Sequence, residues 1–417
     1  MLRAPQLPLL ALALAACTGL GSPLRVHDEP PPRAMDVPVI PEAPSSAAGE
    51  RPQPAVRGPS QLVAGGFHAC VRREDRRVAC WGLGDFGQLG DGTTQDRASP
   101  VEVVDLVDVE QVALGLEHSC ARLGSGQVRC WGANPFGQLG DGTDDEHPTP
   151  VAVARVDDAI DLQLGDFEAC VLTARGDVAC WGGNQGGMPI AFQPDSAWRA
   201  TPRIELRDVA GRRLAVTQTY RCLYGGGDPQ CWGDAAFDPC AAPGGRDDPS
   251  CPIADLIDVV DLDLDAAFGC AVIEDGAVRC WGSNSYGQTP TGGAACYLDY
   301  PEAGCPRPLD GVEAAVQVAV GTWHGCALDR DGAVTCWGAN NFGQLGTTLA
   351  RTQEQRWADL HGPTRIERWH DVVEIAVGRG FTCAHTRDGA VACLGDLAEG
   401  RRPRPLLAPR PIAPARG

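Results

Sequence analysis

Cysteines are the residues of this 417-residue chain with the clearest chemistry, and there are 19 of them. Fourteen form seven pairs whose members lie nine or ten residues apart on either side of a turn signal, as at residues 274–276. Two cysteines equidistant from a hairpin turn face each other across the strands, within reach of a disulfide. Metal binding and reduced core thiols are the alternatives, but no Cys-x-x-Cys occurs, and pairs on neighbouring strands make poor tetrahedral sites. The predicted disulfides are Cys70–Cys80, Cys120–Cys130, Cys170–Cys180, Cys222–Cys231, Cys270–Cys280, Cys326–Cys336 and Cys383–Cys393.

The other five cysteines account for the odd total. Cys240 with Cys251 and Cys296 with Cys305 are predicted to form two more disulfides. Cys17 is then left over, and an even number remains when it is set aside. A chain rich in disulfides belongs in an oxidising compartment, so the segment that ends at Cys17 bears on how the chain is exported.

Residues 1–16 predict export. They contain one cation, an apolar run and then small residues, which is the pattern of a secretory signal and is too short to span a membrane. The end of this run, Leu14–Cys17, resembles a bacterial lipobox, whose cysteine carries the lipid and starts the mature chain. An ordinary signal peptide with a chance cysteine is the alternative. By the same resemblance Thr18 favours the outer membrane, so we expect a lipid-anchored, extracytoplasmic protein of the cell envelope.

Low-complexity segments flank the rest of the chain. Residues 17–60 are rich in Pro, Ala, Glu and Ser, which predicts a disordered, extended linker between the lipid and the folded part. Residues 401–417 form a basic, Pro-rich tail, for which a frayed terminus and contact with anionic headgroups are the alternatives. The folded domain is predicted to be residues 61–400.

Composition excludes several functions. All 35 cations are arginines, so Schiff-base chemistry, a P-loop and a kinase-type Lys–Glu pair are excluded, because each needs a lysine. The net charge of -19 argues against nucleic acid, whose affinity depends on cations. The motifs Gly-x-Ser-x-Gly and His-Glu-x-x-His are absent. We expect a monomer with no enzyme activity, no cofactor and no metal.

The cysteine pairs belong to a repeat of about fifty residues. The second cysteine is followed by Trp in six repeats and by Leu394 in the seventh, and then by Gly. In a strand such as residues 78–81 Val and Cys point to one side and Trp to the other, so both faces of the sheet must be covered. Four short strands per repeat cannot do this alone, which predicts an all-β, seven-bladed β-propeller, with an open β-solenoid as the alternative. Because the seventh repeat ends early, residues 61–64 are expected to complete its blade.

The repeat resembles the regulator of chromosome condensation repeat. Its string Gly-x-x-His-x-Cys stands at Gly65–Cys70, and its string Gly-Gln-Leu-Gly-Asp-Gly-Thr at Gly87–Thr93 and Gly137–Thr143. A third copy of the repeat, Ala339–Gly346, contains Gly-Gln-Leu-Gly. The resemblance covers residues 61–400. It implies a seven-bladed propeller that serves as a platform for other macromolecules, as the exchange factors and secreted enzyme inhibitors of that family do. Nuclear exchange activity does not fit a lipidated, disulfide-rich, acidic chain.

Histidine occupies the Gly-x-x-His position only at His68, His118 and His324. Side chains on separate repeats that other residues replace freely are unsuited to catalysis or metal binding, so each is expected to hydrogen-bond within its own blade. The acidic run at residues 261–265 raises the question of calcium, but it lacks EF-hand spacing. Its alternation predicts a strand with one wet face.

Four repeats gain length or lose their motif at one point, after Trp-Gly, at residues 184–200, 234–252, 289–306 and 347–362. Equivalent positions of a propeller emerge on one face, so these loops are expected to lie side by side. They carry aromatic residues, and two carry a predicted disulfide, as rigid binding loops do. Drifted loops that pack their aromatics inward are the alternative. The candidate binding residues are Phe192, Trp198, Tyr297, Tyr300 and Trp357.

These observations predict a non-enzymatic binding or scaffold lipoprotein that uses this loop face to bind a protein or a glycan. A propeller enzyme that acts on a polysaccharide through channel carboxylates is the second hypothesis, and it needs two acids close together at the channel mouth. A secreted-type enzyme inhibitor is the third, by family resemblance alone.

Overall fold

The computed structural model describes residues 59–183, 199–209, 211–217, 220–225, 227–233, 256–265, 268–290, 304–347 and 360–397. All of these belong to one compact unit, Pro54–Gly417, and the other unit, Met1–Gln53, lies outside the described residues. Every regular element in the described residues is a β-strand. This part of the chain therefore contains no helix long and apolar enough to cross a membrane.

Short strands separated by turns make up the described chain. In chain order they are β1 (Pro59–Ala64), β2 (His68–Arg73), β3 (Val78–Gly82), β4 (Arg97–Glu102), β5 (Val109–Leu114), β6 (His118–Leu123), β7 (Val128–Gly132), β8 (His147–Ala152), β9 (Ala159–Leu164), β10 (Glu168–Thr173), β11 (Val178–Gly182), β12 (Arg199–Leu206), β13 (Arg213–Val216), β14 (Tyr220–Tyr224), β15 (Gln230–Gly233), β16 (Val259–Leu264), β17 (Phe268–Ile273), β18 (Val278–Gly282), β19 (Gly304–Pro308), β20 (Ala315–Val320), β21 (His324–Asp329), β22 (Val334–Ala339), β23 (Leu360–Arg365), β24 (Val372–Val377), β25 (Phe381–Thr386) and β26 (Val391–Gly395).

The strands form seven antiparallel sheets within the described residues, and each sheet is built from consecutive strands. Blades 1, 2, 3, 5 and 6 are β1–β4, β5–β8, β9–β12, β16–β19 and β20–β23, while blades 4 and 7 show the three strands β13–β15 and β24–β26. The first strand of each blade lies beside the first strand of the next, and that of blade 7 lies beside that of blade 1. The ring is therefore closed around a central channel, which confirms the predicted seven-bladed β-propeller.

Residues 61–64 do not complete the seventh blade. They lie in β1, which pairs with β2 as the inner strand of blade 1, with Ala64 opposite Ala69. Blade 7 meets β1 through side chains, since Leu62 shares a buried cluster with Ala376 and Phe381. The expectation is wrong because the repeat begins one strand before the Gly-x-x-His motif, so the first blade, like the others, starts with its inner strand.

A disulfide joins two neighbouring strands in every blade. In all seven hairpins the predicted partners lie directly opposite each other in the ladder, with Cα atoms 4.0–4.1 Å apart. Each bond fixes the register of its hairpin, because a slip by one residue would turn the two cysteines to opposite faces. Cys17, Cys240, Cys251 and Cys296 lie outside the described residues, as does the side chain of Cys305.

Neighbouring blades share their core. Trp131 of blade 2 is fully buried, and its Nε1 donates to the carbonyl oxygen of Gln88 in blade 1 at 2.9 Å. Trp181 and Trp337 make the equivalent bond to the preceding blade. Gly90 leaves the space for the indole, since a Cβ there would lie 2.8 Å from Trp131 Nε1. Both faces of each sheet are thereby covered, as the apolar pattern of the repeat required.

Two of the three histidines, His68 and His324, bond to a hydroxyl of the next blade and not to their own, and within the described residues the His118 ring forms no hydrogen bond in its own blade either. His68 Nε2 lies 2.8 Å from Ser119 Oγ of blade 2, and His324 Nε2 lies 2.7 Å from Thr382 Oγ1 of blade 7. Burial lowers the pKa of both rings to about 3, so the imidazoles are neutral. The expected bond within the blade is wrong, because this position starts the second strand and faces the neighbouring sheet.

A polar side chain near the start of each inner strand joins that strand to the next blade. Gln317 Nε2 donates to the Ile375 carbonyl oxygen, and the Ile375 N–H donates back to Gln317 Oε1, both at 2.9 Å. The ring closes in the same way, since the Leu62 N–H of blade 1 donates to Glu374 Oε2 of blade 7 at 2.7 Å. We call the residues at this position the clasp residues. They are Gln61, Gln111, Asp161, Arg213, Asp261, Gln317 and Glu374.

Six clasp residues bond to the backbone of the next blade. Arg213 of blade 4 is the exception, because its guanidinium lies 4.0 Å from the carboxylate of Asp261 in blade 5. At each joint of the closed ring a clasp side chain thus reaches across where no backbone ladder exists, and at six of the seven it bonds to the backbone of the next blade.

Removing one clasp is expected to weaken the ring. We expect Gln317→Ala to lower the free energy of unfolding by about 1–3 kcal/mol, because it leaves the Ile375 N–H and C=O without their partner. Gln163→Ala is the matched control, since Gln163 faces the same channel and forms no side-chain hydrogen bond within the described residues. Urea unfolding measures both variants, and equal losses would show that the clasp contributes nothing.

Candidate functional site

The turns of the propeller fall on two faces. Because the strands of a blade are antiparallel, the turn from the first to the second strand and the connection from the third to the fourth leave from one face, which we call the loop face. In blade 1 these are residues 65–67 and 83–96. The hairpin between the second and third strands, such as residues 74–77, lies on the opposite face together with the link to the next blade.

The four lengthened segments all belong to the loop face at their described ends. They begin after β11, β15, β18 and β22, and three of them return at β12, β19 and β23. This agrees with the expectation that the segments leave the propeller on one face. The candidate binding residues within them lie outside the described residues, namely Phe192, Trp198, Tyr297, Tyr300 and Trp357.

Other aromatic side chains, which the sequence analysis did not single out, lie on the loop face. Trp323 stacks on Phe342 with ring centroids 5.6 Å apart, and Tyr286 meets Trp323 edge-on at 6.5 Å. Phe136 and Phe167 form a second edge-on pair at 5.2 Å. All five are half-buried, so each leaves ring surface for a partner. The sequence carried the signal, since an aromatic residue stands two positions before the Gln of the Gly-Gln motif in four repeats.

The Gly-Gln turn holds three of these aromatics, Phe136, Tyr286 and Phe342, on a fixed backbone. The Phe342 N–H donates to Gln344 Oε1 at 2.9 Å, and the Leu345 N–H donates to Asn340 Oδ1 at 3.1 Å. Both acceptor side chains are fully buried, so the turn is anchored from the core side. Gly343 has a φ of 81°, a conformation that residues with a Cβ rarely adopt. The loop face therefore presents aromatic rings without a further cost of ordering the chain.

The central channel is lined by the inner strands and has a volume of about 300 Å³. On β16 the alternation of Asp and Leu turns Asp261 and Asp263 towards the channel, as the pattern of this run predicted, and Asp265, the residue after the strand, also lines it. Asp261 and Asp263 each accept a backbone N–H of β20, from Val318 at 2.9 Å and from Val320 at 2.8 Å. These two carboxylates therefore hold blade 6 against blade 5.

Burial, reinforced by the neighbouring carboxylates Asp261 and Asp265, raises the pKa of Asp263 to about 7, although the Val320 N–H opposes this shift. Burial also raises the pKa of Asp261. Asp261, Asp263 and the following Asp265 thus line the same confined space, which disfavours the charged form of Asp263.

The described residues contain no candidate metal site. The His, Cys, Asp and Glu side chains of the described residues form no group of three that could hold an ion. The acidic Gly-Asp-Gly-Thr segment is closed by its own side chains, because Asp91 Oδ1 accepts the Thr93 N–H at 3.0 Å and Asp91 Oδ2 accepts from Arg97 Nε at 2.8 Å.

Comparison with known proteins agrees with this architecture. A family model described as "Regulator of chromosome condensation (RCC1) repeat" matches residues 77–122, 125–172 and 331–385, and a second model with the same description matches residues 60–88, 109–138, 266–288 and 315–344. The human "Probable E3 ubiquitin-protein ligase HERC3" is 36% identical over 128 residues, which are 30% of this chain and 11% of that protein. The chain thus spans about a tenth of the length of this relative.

Solved structures share the fold over most of the chain. Prp20p from Saccharomyces cerevisiae has a TM-score of 0.63 at 20% identity and covers 81% of this chain and 86% of its own. Human WBSCR16 has a TM-score of 0.64 at 19% identity and covers 83% of this chain and 94% of its own. The fold and the loop face define the class, a closed seven-bladed propeller with a preorganised aromatic face. Within that class, the matched segments are similar to regulator of chromosome condensation repeats.

The raised pKa of Asp263 leads to a prediction about stability. A carboxyl whose pKa rises from 3.8 to about 7 on folding adds stability at low pH that is lost as the pH rises through this range. We expect Asp263→Asn, which keeps an oxygen for the Val320 N–H, to raise the free energy of unfolding at pH ~8 by on the order of 2 kcal/mol, with little change at pH ~4.

Guanidinium unfolding at the two pH values measures this effect. Asp331→Asn, on an exposed hairpin of blade 6, is the control for removing one carboxylate from an acidic chain. A gain of the same size at both pH values, or one that the control reproduces, would contradict the assignment to Asp263.

Proposed function

We propose that this chain is a non-enzymatic, lipid-anchored binding protein of the bacterial cell envelope, which uses the loop face of its propeller to bind a protein or a glycan. The observation that carries the proposal is the set of half-buried aromatic rings on the fixed turns of that face. Aromatic side chains on a preorganised backbone are common anchors of binding sites. The lengthened segments begin and return beside them.

The cellular location is part of the proposal. Disulfides in all seven blades favour an oxidising compartment, because reducing conditions would keep these cysteines as free thiols. In this proposal residues 1–16 are the lipoprotein signal, Cys17 carries the lipid at the outer membrane, and residues 17–60 are the linker. The propeller then works outside the cytoplasm, with its basic tail at residues 401–417.

A protein is the first partner to test and a glycan the second. The yeast Prp20p propeller is described with binding properties to Gsp1p and histones, so a propeller of this shape can present a surface to other proteins. Single-partner docking on one face also agrees with a monomeric propeller. An inhibitor of a secreted enzyme would be one form of the same function.

The channel carboxylates give less support to the polysaccharide-cleaving alternative. That chemistry needs two carboxyl groups available to the substrate, whereas Asp261 and Asp263 accept backbone N–H groups that join two blades. The ligase activity named for HERC3 is no guide either, because the match covers 11% of that protein.

Obstructing the loop face is expected to abolish capture of the partner. Ser285→Arg places a long charged side chain beside Tyr286, on an exposed position of the loop face. Ser125→Arg is the matched change on an exposed hairpin of the opposite face. After photo-crosslinking of full-length, anchored chains in envelopes of the source cell, we expect one partner with the wild type and Ser125→Arg, and about tenfold less of it with Ser285→Arg. Equal capture by the two variants would place the site elsewhere.

Cys17→Ser is expected to release the protein from the membrane. Lipidation needs the cysteine thiol, and the acyl chains supply the anchoring free energy. Fractionation of a Gram-negative host is expected to find the wild type in the outer membrane and Cys17→Ser in the soluble periplasm, with Cys240→Ser as a cysteine control that stays anchored. Wild-type protein in the soluble fraction would instead favour an ordinary signal peptide.

A further inference from the structure

The inner strands end at the mouth of the channel on the loop face. The second residue after each inner strand lines this mouth, and we call it the mouth residue. The described mouth residues are Gly66, Leu116, Asp166, Thr322 and Arg379. Among these five, Asp166 of blade 3 and Arg379 of blade 7 carry charges of opposite sign. They are three steps apart around a ring of seven blades, so they stand nearly opposite each other across the channel.

Arg379 is held in place but not neutralised. Its Nε donates to Thr322 Oγ1 of blade 6 at 3.2 Å, and its guanidinium carbon lies 5.7 Å from the ring centroid of Phe67 in blade 1. Its backbone N–H donates to the Gly66 carbonyl oxygen at 3.2 Å. Within the described residues no acceptor contacts Nη1 or Nη2. A guanidinium fixed at Nε and against an aromatic ring presents its remaining N–H groups as a fork for a carboxylate.

Asp166 offers the complementary charge. Its backbone carbonyl accepts the Leu116 N–H at 3.1 Å, which fixes the turn. Its carboxylate is half-buried, and no donor in the described part of the chain contacts it. Burial raises the pKa of Asp166, and the field of Arg379 opposes that shift. The charge of Arg379 acts on Asp166 without an ion pair, since no contact within 4.0 Å joins the two side chains.

Ligands of a single charge fit this mouth poorly. An anion attracted to Arg379 meets the negative charges of Asp166, Glu117 and Asp265. A cation attracted to those acids meets Arg379. A ligand with a carboxylate at one end and an ammonium at the other satisfies both sides, because each end meets the opposite charge.

We propose that the channel mouth binds a small zwitterion, with its carboxylate on Arg379 and its ammonium on Asp166. A short peptide with free termini is the class of ligand that matches, since its two charges are far enough apart to reach opposite sides of the mouth. The cavity of about 300 Å³ below the mouth is at the lower end of the range found for small-molecule sites. This site goes beyond the proposed partner-binding face, and it does not depend on the identity of that partner.

Calorimetric titration of the full-length protein with glycine, diglycine, triglycine and tetraglycine tests the proposal. We expect saturable binding with an optimum at one peptide length, and a dissociation constant that rises about tenfold or more in Arg379→Gln and in Asp166→Asn. Arg387→Gln and Asp331→Asn, on exposed hairpins of the opposite face, are the matched controls and should bind as the wild type does. Thermal unfolding of each variant shows that it is folded.

Blocked peptides identify which residue meets which end. Acetylation of the amino terminus should weaken binding to the wild type but not to Asp166→Asn, and amidation of the carboxyl terminus should weaken binding to the wild type but not to Arg379→Gln. The proposal fails if no peptide binds the wild type at up to about 10 mM. It also fails if acetylated and free peptides bind equally well, which would show a simple anion site, or if the two mouth variants bind like their controls. None of these results touches the proposed partner on the loop face, which is tested by crosslinking.

Discussion

The ring depends on one constraint: the inner strands of neighbouring blades do not pair in a backbone ladder, so side chains, together with single backbone hydrogen bonds in the turns, join each blade to the next. Most clasp residues meet this need with an oxygen that accepts a backbone N–H of the following inner strand. The kind of side chain is secondary, since Gln111 accepts this N–H with an amide oxygen, while Asp161 and Glu374 accept it with carboxylate oxygens on side chains of different length. The position has to be polar in every blade, and the channel wall is therefore polar whether or not the channel binds a ligand.

The same constraint limits what the channel acids can do. A carboxylate that accepts one backbone N–H gains part of what it loses by leaving water, but it still stands among like charges. Burial raises the pKa of Asp263, and the charges of Asp261 and Asp265 on either side add to this shift. The carboxylates of the channel wall are thus already engaged in hydrogen bonds that hold neighbouring blades together. Specific recognition has to come from the ends of the inner strands, where side chains no longer face a neighbouring strand and are able to meet a ligand.

The features that the sequence predicted are local to one repeat. Cysteines placed evenly about a turn need only hairpin geometry, and the number of blades needs only counting. The features it missed join one repeat to the next: His68 meets Ser119, 51 residues away, and Glu168 forms a buried ion pair with Arg221, 53 residues away. Finding them requires knowing where a blade begins and which position of the next blade lies opposite. A signal was present in three blades, since His68 and His324 meet Ser or Thr while Glu168 meets Arg, at the same two positions of the repeat. It was absent for His118, because the equivalent position of the next blade holds Ala169.

Repetition within one chain also separates residues that the fold needs from residues that a ligand needs. Where every blade carries a polar group, as at the clasp position, polarity follows from the ring and carries no information about binding. The mouth position is different, because Gly66 and Leu116 show that the fold accepts residues with no polar side chain there. A half-buried carboxylate such as Asp166 loses hydration at this position and gains no hydrogen bond from the described residues in return. The blades whose mouth residue is uncharged thus serve as an internal control. They show that the fold does not require a charge at this position, so we infer that Asp166 and Arg379 serve ligand recognition, whereas the clasp residues hold neighbouring blades together.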